Sequence, residues 1–219
     1  IDLLDDKETA EAACEALSHT ILIYEAYQSI LEKSANNDYA KKIVDSWADA
    51  KWFTSKDALP ESIKVTVFRV DGETNTDDLS PATEAWSRPD IPLHAKAMLI
   101  KKMDKPLEKI AELKQKNLPL AYVGDVVGTG SSRKSAINSV LWHMGEPIEY
   151  IPNKNSGGIV LGGKIAPIFF NTAEDSGALP IQCDVSELKM GDEITIYPFD
   201  GVIKDSSGSV VSKFDLAPS

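Results

Sequence analysis

The chain is 219 residues long, 42% hydrophobic and 26% charged, and carries a formal net charge of -11 at pH 7. That length is enough to bury a sizeable core, as one domain with an appendage or as two small domains. The acidic balance argues against non-specific binding of nucleic acid by the whole surface, so an anionic substrate needs a local positive pocket. No stretch approaches the ~20 apolar residues of a membrane span, and no basic-then-apolar signal opens the chain; a cytoplasmic setting without membrane contact is the expectation. The first residues, Ile1-Asp2-Leu3, lack a Met, as expected of a segment of a longer polypeptide.

Residues 7 to about 53 are predicted to be helical. Glycine and proline are absent there, and Leu17, Ile21, Tyr24 and Gln28 recur at helical spacing. Asn36-Asn37-Asp38 divides the run into two helices with Asp38 as N-cap, the second carrying Ile43, Val44, Trp47 and Trp52. After Leu59-Pro60 the character changes. Ile63 to Val70 alternates and is rich in β-branched residues, so it predicts a strand in which Arg69 is a plain strand charge. A long polar loop, Asp71 to Pro92, follows, and loops of that length are often functional. Helical patterns come next at Leu93–Lys102 and Pro106–Lys116.

Leu118 to Val123 is an apolar run leading into Gly124-Asp-Val-Val-Gly-Thr-Gly-Ser-Ser-Arg-Lys-Ser-Ala136, and an apolar-periodic stretch continues to Gly145. That order predicts strand, glycine-rich turn and helix. Gly157 to Gly163 holds a short strand, Ile165 to Ser176 a helix stopped by Gly177, and Leu179 to Val185 a strand. Glu193–Tyr197 and Val202–Phe214 form a terminal hairpin. Strands alternating with helices predict an α/β core, and the β-rich tail a mixed sheet or small barrel.

The glycine turn aims backbone N–H groups, two hydroxyls and the Arg133 guanidinium at one place, where an anion can sit. Gly128-x-Gly130-x-x-Arg133 departs from the dinucleotide fingerprint at its last glycine, and the Gly-Lys-Ser/Thr of a Walker loop is missing. Spacing leaves two readings open: an anion-binding turn, or a tight turn in which Ser131 or Ser132 caps the helix. The chain has twenty lysines but three arginines, Arg69, Arg88 and Arg133. The planar fork of arginine suits two-point recognition of a carboxylate. Cys14, Cys183, His19, His94 and His143 are scattered, which gives no complete metal site; each of the five is read as a packed or surface side chain. Lys134 is read as a solvated helix-start lysine, Asn171 and Thr172 as backbone-bonding residues, and Trp86 and Trp142 as core.

Val123 to Ala136 resembles the signature loop of the aconitase swivel domain, whose core is Gly-x-Gly-Ser-Ser-Arg. Gly72-Glu-Thr-Asn-Thr-Asp-Asp-Leu-Ser-Pro81, continuing through Trp86-Ser-Arg88-Pro-Asp-Ile-Pro-Leu-His94, resembles the upstream loop of that domain. Ile165-Ala-Pro-Ile-Phe-Phe-Asn-Thr with Gly177-Ala-Leu-Pro180 resembles its downstream helix and strand. The wording is most similar to the bacterial-type aconitase B branch, in which the swivel domain follows a HEAT-like helical domain. The resemblance implies a helical segment over residues 1–58, an aconitase swivel domain over 59–219, and an α/β swivel-like mixed sheet or small barrel with flanking helices.

The implied function is that of a hydro-lyase fragment. Aconitases interconvert citrate and isocitrate through cis-aconitate, in this branch with 2-methylisocitrate as a further associated substrate. The resemblance makes Ser131 the catalytic base, Ser132 and Arg133 carboxylate ligands, Arg88 a second clamp, and Asp77 an active-site aspartate that orients a histidine of another domain. For Asp77 a turn-capping role stays open; Asp78, a histidine in other branches, receives no role. A [4Fe-4S] cluster is implied for the full-length enzyme, held by cluster-binding domains outside this chain, so the isolated chain is expected to be inactive. Two other readings remain: a small subunit of the isopropylmalate-isomerase type, or a regulatory module, homodimerising or binding mRNA in the cluster-free form.

Overall fold

A computed structural model describes residues 1–21, 23–49 and 58–216. The chain divides into two units, Ile1–Leu59 and Pro60–Ser219. Among the described residues the first holds three α-helices: α1 (Ala10–Ser18), α2 (Tyr24–Lys33) and α3 (Asp38–Ala48). They pack around Leu4, Ile30, Ala40, Ile43 and Trp47. One break more than expected falls after Ser18, where the Ser18 and Thr20 hydroxyls donate to the carbonyls of Glu15 and Leu17 at 2.7 and 2.6 Å. Such side-chain bonds compete with the helical ladder. Asn37 rather than Asp38 caps α3, its side chain accepting from the Ala40 amide, while Asp38 opens the first turn. The end of the expected second helix, with Trp52, lies outside the described residues.

The second unit alternates strands and helices. In chain order these are β1 (Ile63–Asn75), α4 (Thr76–Leu79), α5 (Ile91–Ala95), α6 (Pro106–Lys114), β2 (Leu120–Thr129) and α7 (Lys134–Met144). Next come β3 (Glu146–Pro147), β4 (Asn155–Ser156), β5 (Ile159–Ile165), α8 (Pro167–Asp175) and β6 (Leu179–Gln182). The chain closes with β7 (Glu193–Tyr197), β8 (Val202–Asp205) and β9 (Val210–Lys213). Seven strands form one sheet in the order β6-β5-β2-β1-β7-β8-β9, and β3 and β4 pair separately. The four strands β6, β5, β2 and β1 are parallel; β7 to β9 join antiparallel at the β1 side.

Parallel neighbours need crossovers, and the helices supply them. Residues of α4, α6, α7 and α8 pack with Phe68, Tyr122 and Val160 on one face. Val65, Val67, Val123 and Leu161 face the other side with Ile194, Ile203 and Phe214, a cluster that includes no residue of the described helices of this unit. The sheet therefore closes over its own second face through β7–β9. Burial on both faces explains why the first half of β2 is written as an apolar run, whereas β1 keeps polar residues between its β-branched ones.

Several elements depart from expectation. The terminal hairpin is a three-stranded meander, because Asp205–Ser209 makes a turn of its own with Asp205 Oδ1 accepting from the Ser207 and Ser209 amides, both at 2.9 Å. The helix expected over Leu93–Lys102 shortens to α5 and continues as turns. Trp86 is not core but 96% exposed, and Trp142 is only partly buried.

β1 runs five residues past its expected end. Its register with β2 slips after Val70 and resumes at Glu73 opposite Val126, ending with Asn75 opposite Thr129. Arg69 spans this bulge: it pairs with Asp125 on β2 and with Asp71 at 3.2 Å, and its side chain is 12% exposed. Asp125 also accepts from the Gly72 amide at 2.6 Å. Arg69 is thus a tie between strands rather than a plain strand charge, and its guanidinium beside Asp125 holds that carboxyl below the ordinary range.

At the end of β2, Gly128 has φ +78, and a Cβ there would overlap the Phe169 ring of α8. Gly128→Ala should cost on the order of 3 kcal/mol, about 1–2 kcal/mol from the left-handed backbone and the rest from displacing the ring. Urea unfolding checks this, and an unchanged midpoint would refute the close-approach account.

Candidate active site

The C-terminal ends of β1, β2 and β5 lie side by side, where open parallel sheets commonly bind ligands. Each strand end delivers one segment: α4 with Ser80 after β1, the turn 130–133 after β2, and Ala166 with the first turns of α8 after β5. The β1 loop is shaped by a capping box. Asn75 Oδ1 accepts from the Asp78 amide at 2.8 Å, and Asp78 Oδ2 accepts from the Asn75 amide at 3.0 Å. This box fixes the four-residue α4 and explains Asp78 structurally. It leaves Asp77 exposed, with Oδ1 accepting from the Ala82 amide at 3.3 Å.

In the β2 loop Gly130 takes φ +90, a turn that the following serines could not make without strain. Helix α7 begins at Lys134 with Arg133 at the cap position and no side-chain cap on its first amides. Neither Ser131 nor Ser132 caps the helix. Their hydroxyls have no hydrogen-bond partner among the described residues, and both side chains are exposed. An uncapped helix start with free amides favours negative charge, so a serine alkoxide or a carboxylate at this point is stabilised.

Ser131, Ser132 and Arg133 line one open cleft of about 100 Å³ with Gly128, Gly130 and the start of α8, where Ala166, Pro167, Ile168 and Phe169 form an apolar wall. Thr172 completes the lining, and its hydroxyl donates to the Ile168 carbonyl at 2.6 Å, as expected of a backbone-bonding residue. Lys134 is exposed at the first helical position.

Arg133 is held on one side. Its Nη1 donates to Asp77 Oδ1 and, at 3.3 Å, to the Ser80 carbonyl. Nε and Nη2 have no partner among the described residues, which leaves the edge that grips a carboxylate in two-point fashion. The Arg133 hydrogen bond, followed by the Ala82 amide, pulls the Asp77 carboxyl below its ordinary value, with Lys101 adding positive charge nearby. Asp77 thus caps a turn, as one of its two readings has it, and it also holds the loop arginine, a contact that the resemblance did not imply.

Arg88 is not in the cleft. Its Nε donates to Glu84 Oε2 at 2.9 Å and Nη1 to the Leu93 carbonyl at 3.5 Å. Its backbone carbonyl faces His94 Nδ1 at 3.3 Å, and His94 Nε2 lies 2.9 Å from Ser80 Oγ. Sequence reasoning read His94 as a packed or surface side chain and passed over Ser80 and Ser135. Their only sequence signal was position: Ser80 closes the Asp77-Asp78-Leu79 turn, and Ser135 follows Arg133 by two residues.

The cysteines do not fit an iron–sulfur cluster, which takes several thiolates together. Cys14 donates to the Tyr39 carbonyl at 3.5 Å in the helical unit, whereas Cys183 is buried in the sheet unit. Among the described residues no group of three His, Cys, Asp or Glu is placed to hold a metal, and no helix is long and apolar enough to cross a membrane.

A family model described as "Aconitate hydratase 2 N-terminus" matches residues 65–219, and one described as "Aconitate B N-terminal domain" matches residues 1–53. Aconitate hydratase B of Synechocystis sp. is 62% identical over 220 residues, covering 100% of this chain and 25% of that protein. Aconitate hydratase B of Escherichia coli K12 is 57% identical over 228 residues, covering 99% of this chain and 26% of that protein. The chain therefore spans only a quarter of the length of these relatives. A solved structure of 3-isopropylmalate dehydratase from Methanocaldococcus jannaschii matches with TM-score 0.51 at 20% identity, covering 72% of this chain and 84% of that one. That likeness concerns the fold; the sequence likeness lies with aconitate hydratase B, not with the isopropylmalate type.

If Nη1 of Arg133 carries the Asp77 shift, Arg133→Gln should return the Asp77 carboxyl towards 3.8, its ordinary value. A depressed folded-state pKa means that the tie is present above the unfolded value and is lost as pH falls through the folded one. The pair should therefore persist at neutral pH and break only in acid below the ordinary carboxylate range. Carboxyl NMR titration of both proteins checks this; an Asp77 midpoint indifferent to the substitution would refute it.

Proposed function

The chain belongs to the aconitase B family, and we propose that it supplies the base and the carboxylate clamps of an aconitate hydratase working in a longer polypeptide. The observation that carries this reading is the shared cleft of Ser131, Ser132 and Arg133 at the uncapped start of α7. A serine hydroxyl is a weak base unless its alkoxide is stabilised, and free amides beside a fixed guanidinium do that.

In the proposed reaction Ser131 Oγ, as the alkoxide, takes the proton from the carbon next to a substrate carboxylate. The electron pair released forms the C=C bond of cis-aconitate as the hydroxyl leaves from the neighbouring carbon. Ser131 returns the proton when water adds back, and the regiochemistry of that addition yields citrate or isocitrate. Arg133 receives one carboxylate on its free edge, Ser132 donates to it, and Arg88 binds another once its Glu84 contact yields. Asp77 orients Arg133 in this chain; an orienting role towards a histidine elsewhere in the polypeptide is compatible with its second, solvent-facing oxygen. Help to the leaving hydroxyl must come from groups outside the described residues, since these do not fit a cluster. A cytoplasmic enzyme is the setting that this reading implies.

In the full-length protein Ser131→Ala should lower kcat by about 10³-fold or more while citrate still binds, because it removes proton transfer and little else. Arg133→Lys should raise KM by about tenfold or more, since a point charge cannot copy a two-point contact. The isolated chain should leave cis-aconitate unhydrated. Steady-state kinetics and citrate-binding calorimetry check all three, and Ser131→Ala with wild-type turnover would overturn the assignment.

A further inference from the structure

We propose that Ser80, His94 and Ser135 are positioning residues that hold both arginines of the site, Arg133 and Arg88, in one arrangement. The proposal rests on the reading above that these arginines receive substrate carboxylates.

Ser80 ends α4 and is 1% exposed. Its backbone carbonyl accepts from Arg133 Nη1 at 3.3 Å. Its hydroxyl lies 2.7 Å from Ser135 Oγ, in the first turn of α7, and 2.9 Å from His94 Nε2, on α5. A carbonyl only accepts, so His94 Nδ1 is the donor to the Arg88 carbonyl at 3.3 Å, and Nε2 is the ring atom turned to Ser80. One buried hydroxyl thus joins three segments, the second 14 residues and the third 55 residues further along the chain. The β1 loop carries Asp77, the α7 start carries Arg133, and the turn before α5 carries Arg88.

The chain of contacts matters because the other contacts of each arginine are local or solvent-facing. Arg133 rests on Asp77, whose side chain is 60% exposed, a weak constraint, and Arg88 on half-buried Glu84 and the Leu93 carbonyl within its own turn. The His94–Ser80–Ser135 chain lies behind them, where losing one partner leaves other polar groups unsatisfied. It fixes the backbone from which each guanidinium projects. A shift there moves both clamps relative to Ser131 without touching the base.

Clamps that bind ground state and transition state alike change KM and leave kcat nearly intact. In the full-length enzyme His94→Phe and Ser135→Ala should each raise KM for citrate by about three- to tenfold, with kcat altered less than about twofold. His94→Gln, whose amide reaches the Nε2 position facing Ser80, should recover most of that loss. In an Arg133→Lys background the penalty of Ser135→Ala should shrink, because the clamp it positions is already impaired. Thermal midpoints of each variant monitor folding.

A KM unmoved by His94→Phe and Ser135→Ala, whatever happens to the midpoint, overturns the proposal and leaves the chain of contacts purely structural. Equal KM changes in His94→Gln and His94→Phe overturn it as well. Ser131→Ala, assayed alongside, separates the two levels. If that variant keeps its turnover, the site reading itself has failed. If it is inactive while His94→Phe is kinetically wild-type, only the positioning role has failed.

Discussion

The register between β1 and β2 is the constraint on which the site depends. Asn75 stands opposite Thr129, so the residues that follow, Thr76–Ser80 and Gly130–Arg133, leave the sheet at the same level and meet. That alignment lies beyond two register shifts, and Arg69 and the Gly72 amide both hold Asp125 across the first of them. In a parallel pair a slip of one strand by one residue would turn that strand's side chains to the opposite face. Phe68 on β1, or Tyr122 on β2, would then leave the helix-covered core, and Asp77 would lose Arg133. Core packing and site geometry are therefore set by the same few contacts.

Charge is distributed to the same end. The chain as a whole repels anions, with 34 acidic residues against 23 basic ones. Its two loop arginines are each matched to one carboxylate of the chain, Arg133 to Asp77 and Arg88 to Glu84, and Arg69 to two. Lysine would neutralise those acids equally well at long range. It would not hold one carboxylate through Nη1 while leaving a second flat edge open, which is the use made of Arg133.

Strand β1 was legible from its alternation and β-branched residues, β2 from its apolar run, and the loop at 128–133 because glycine marks positive φ. The order within residues 71–92 was not legible. It comes from a capping box and from pairing with a strand about fifty residues further on, neither of which leaves a periodic trace. Trp86 misled for a different reason: aromatic residues are favoured inside, but nothing forbids them outside. The grouping of Ser131, Ser132 and Arg133 followed from spacing, whereas the Asp77–Arg133 contact, across 56 residues, could come only from the fold. The turn around Leu99 was also invisible. This buried residue sits at φ 63 and donates its amide to the Asp78 carbonyl at 2.8 Å, a backbone choice that side-chain chemistry does not announce.

The anchoring of Arg133 has a thermodynamic consequence. A free arginine carries about 2 kcal/mol of rotamer entropy, which a ligand must ordinarily overcome when it immobilises the side chain. Here part of that freedom is surrendered when the polypeptide folds, through Nη1, before any anion arrives. Capture of a carboxylate at the remaining edge then draws on a partly ordered group, so its calorimetric signature should carry less ordering entropy from this residue than a free arginine would.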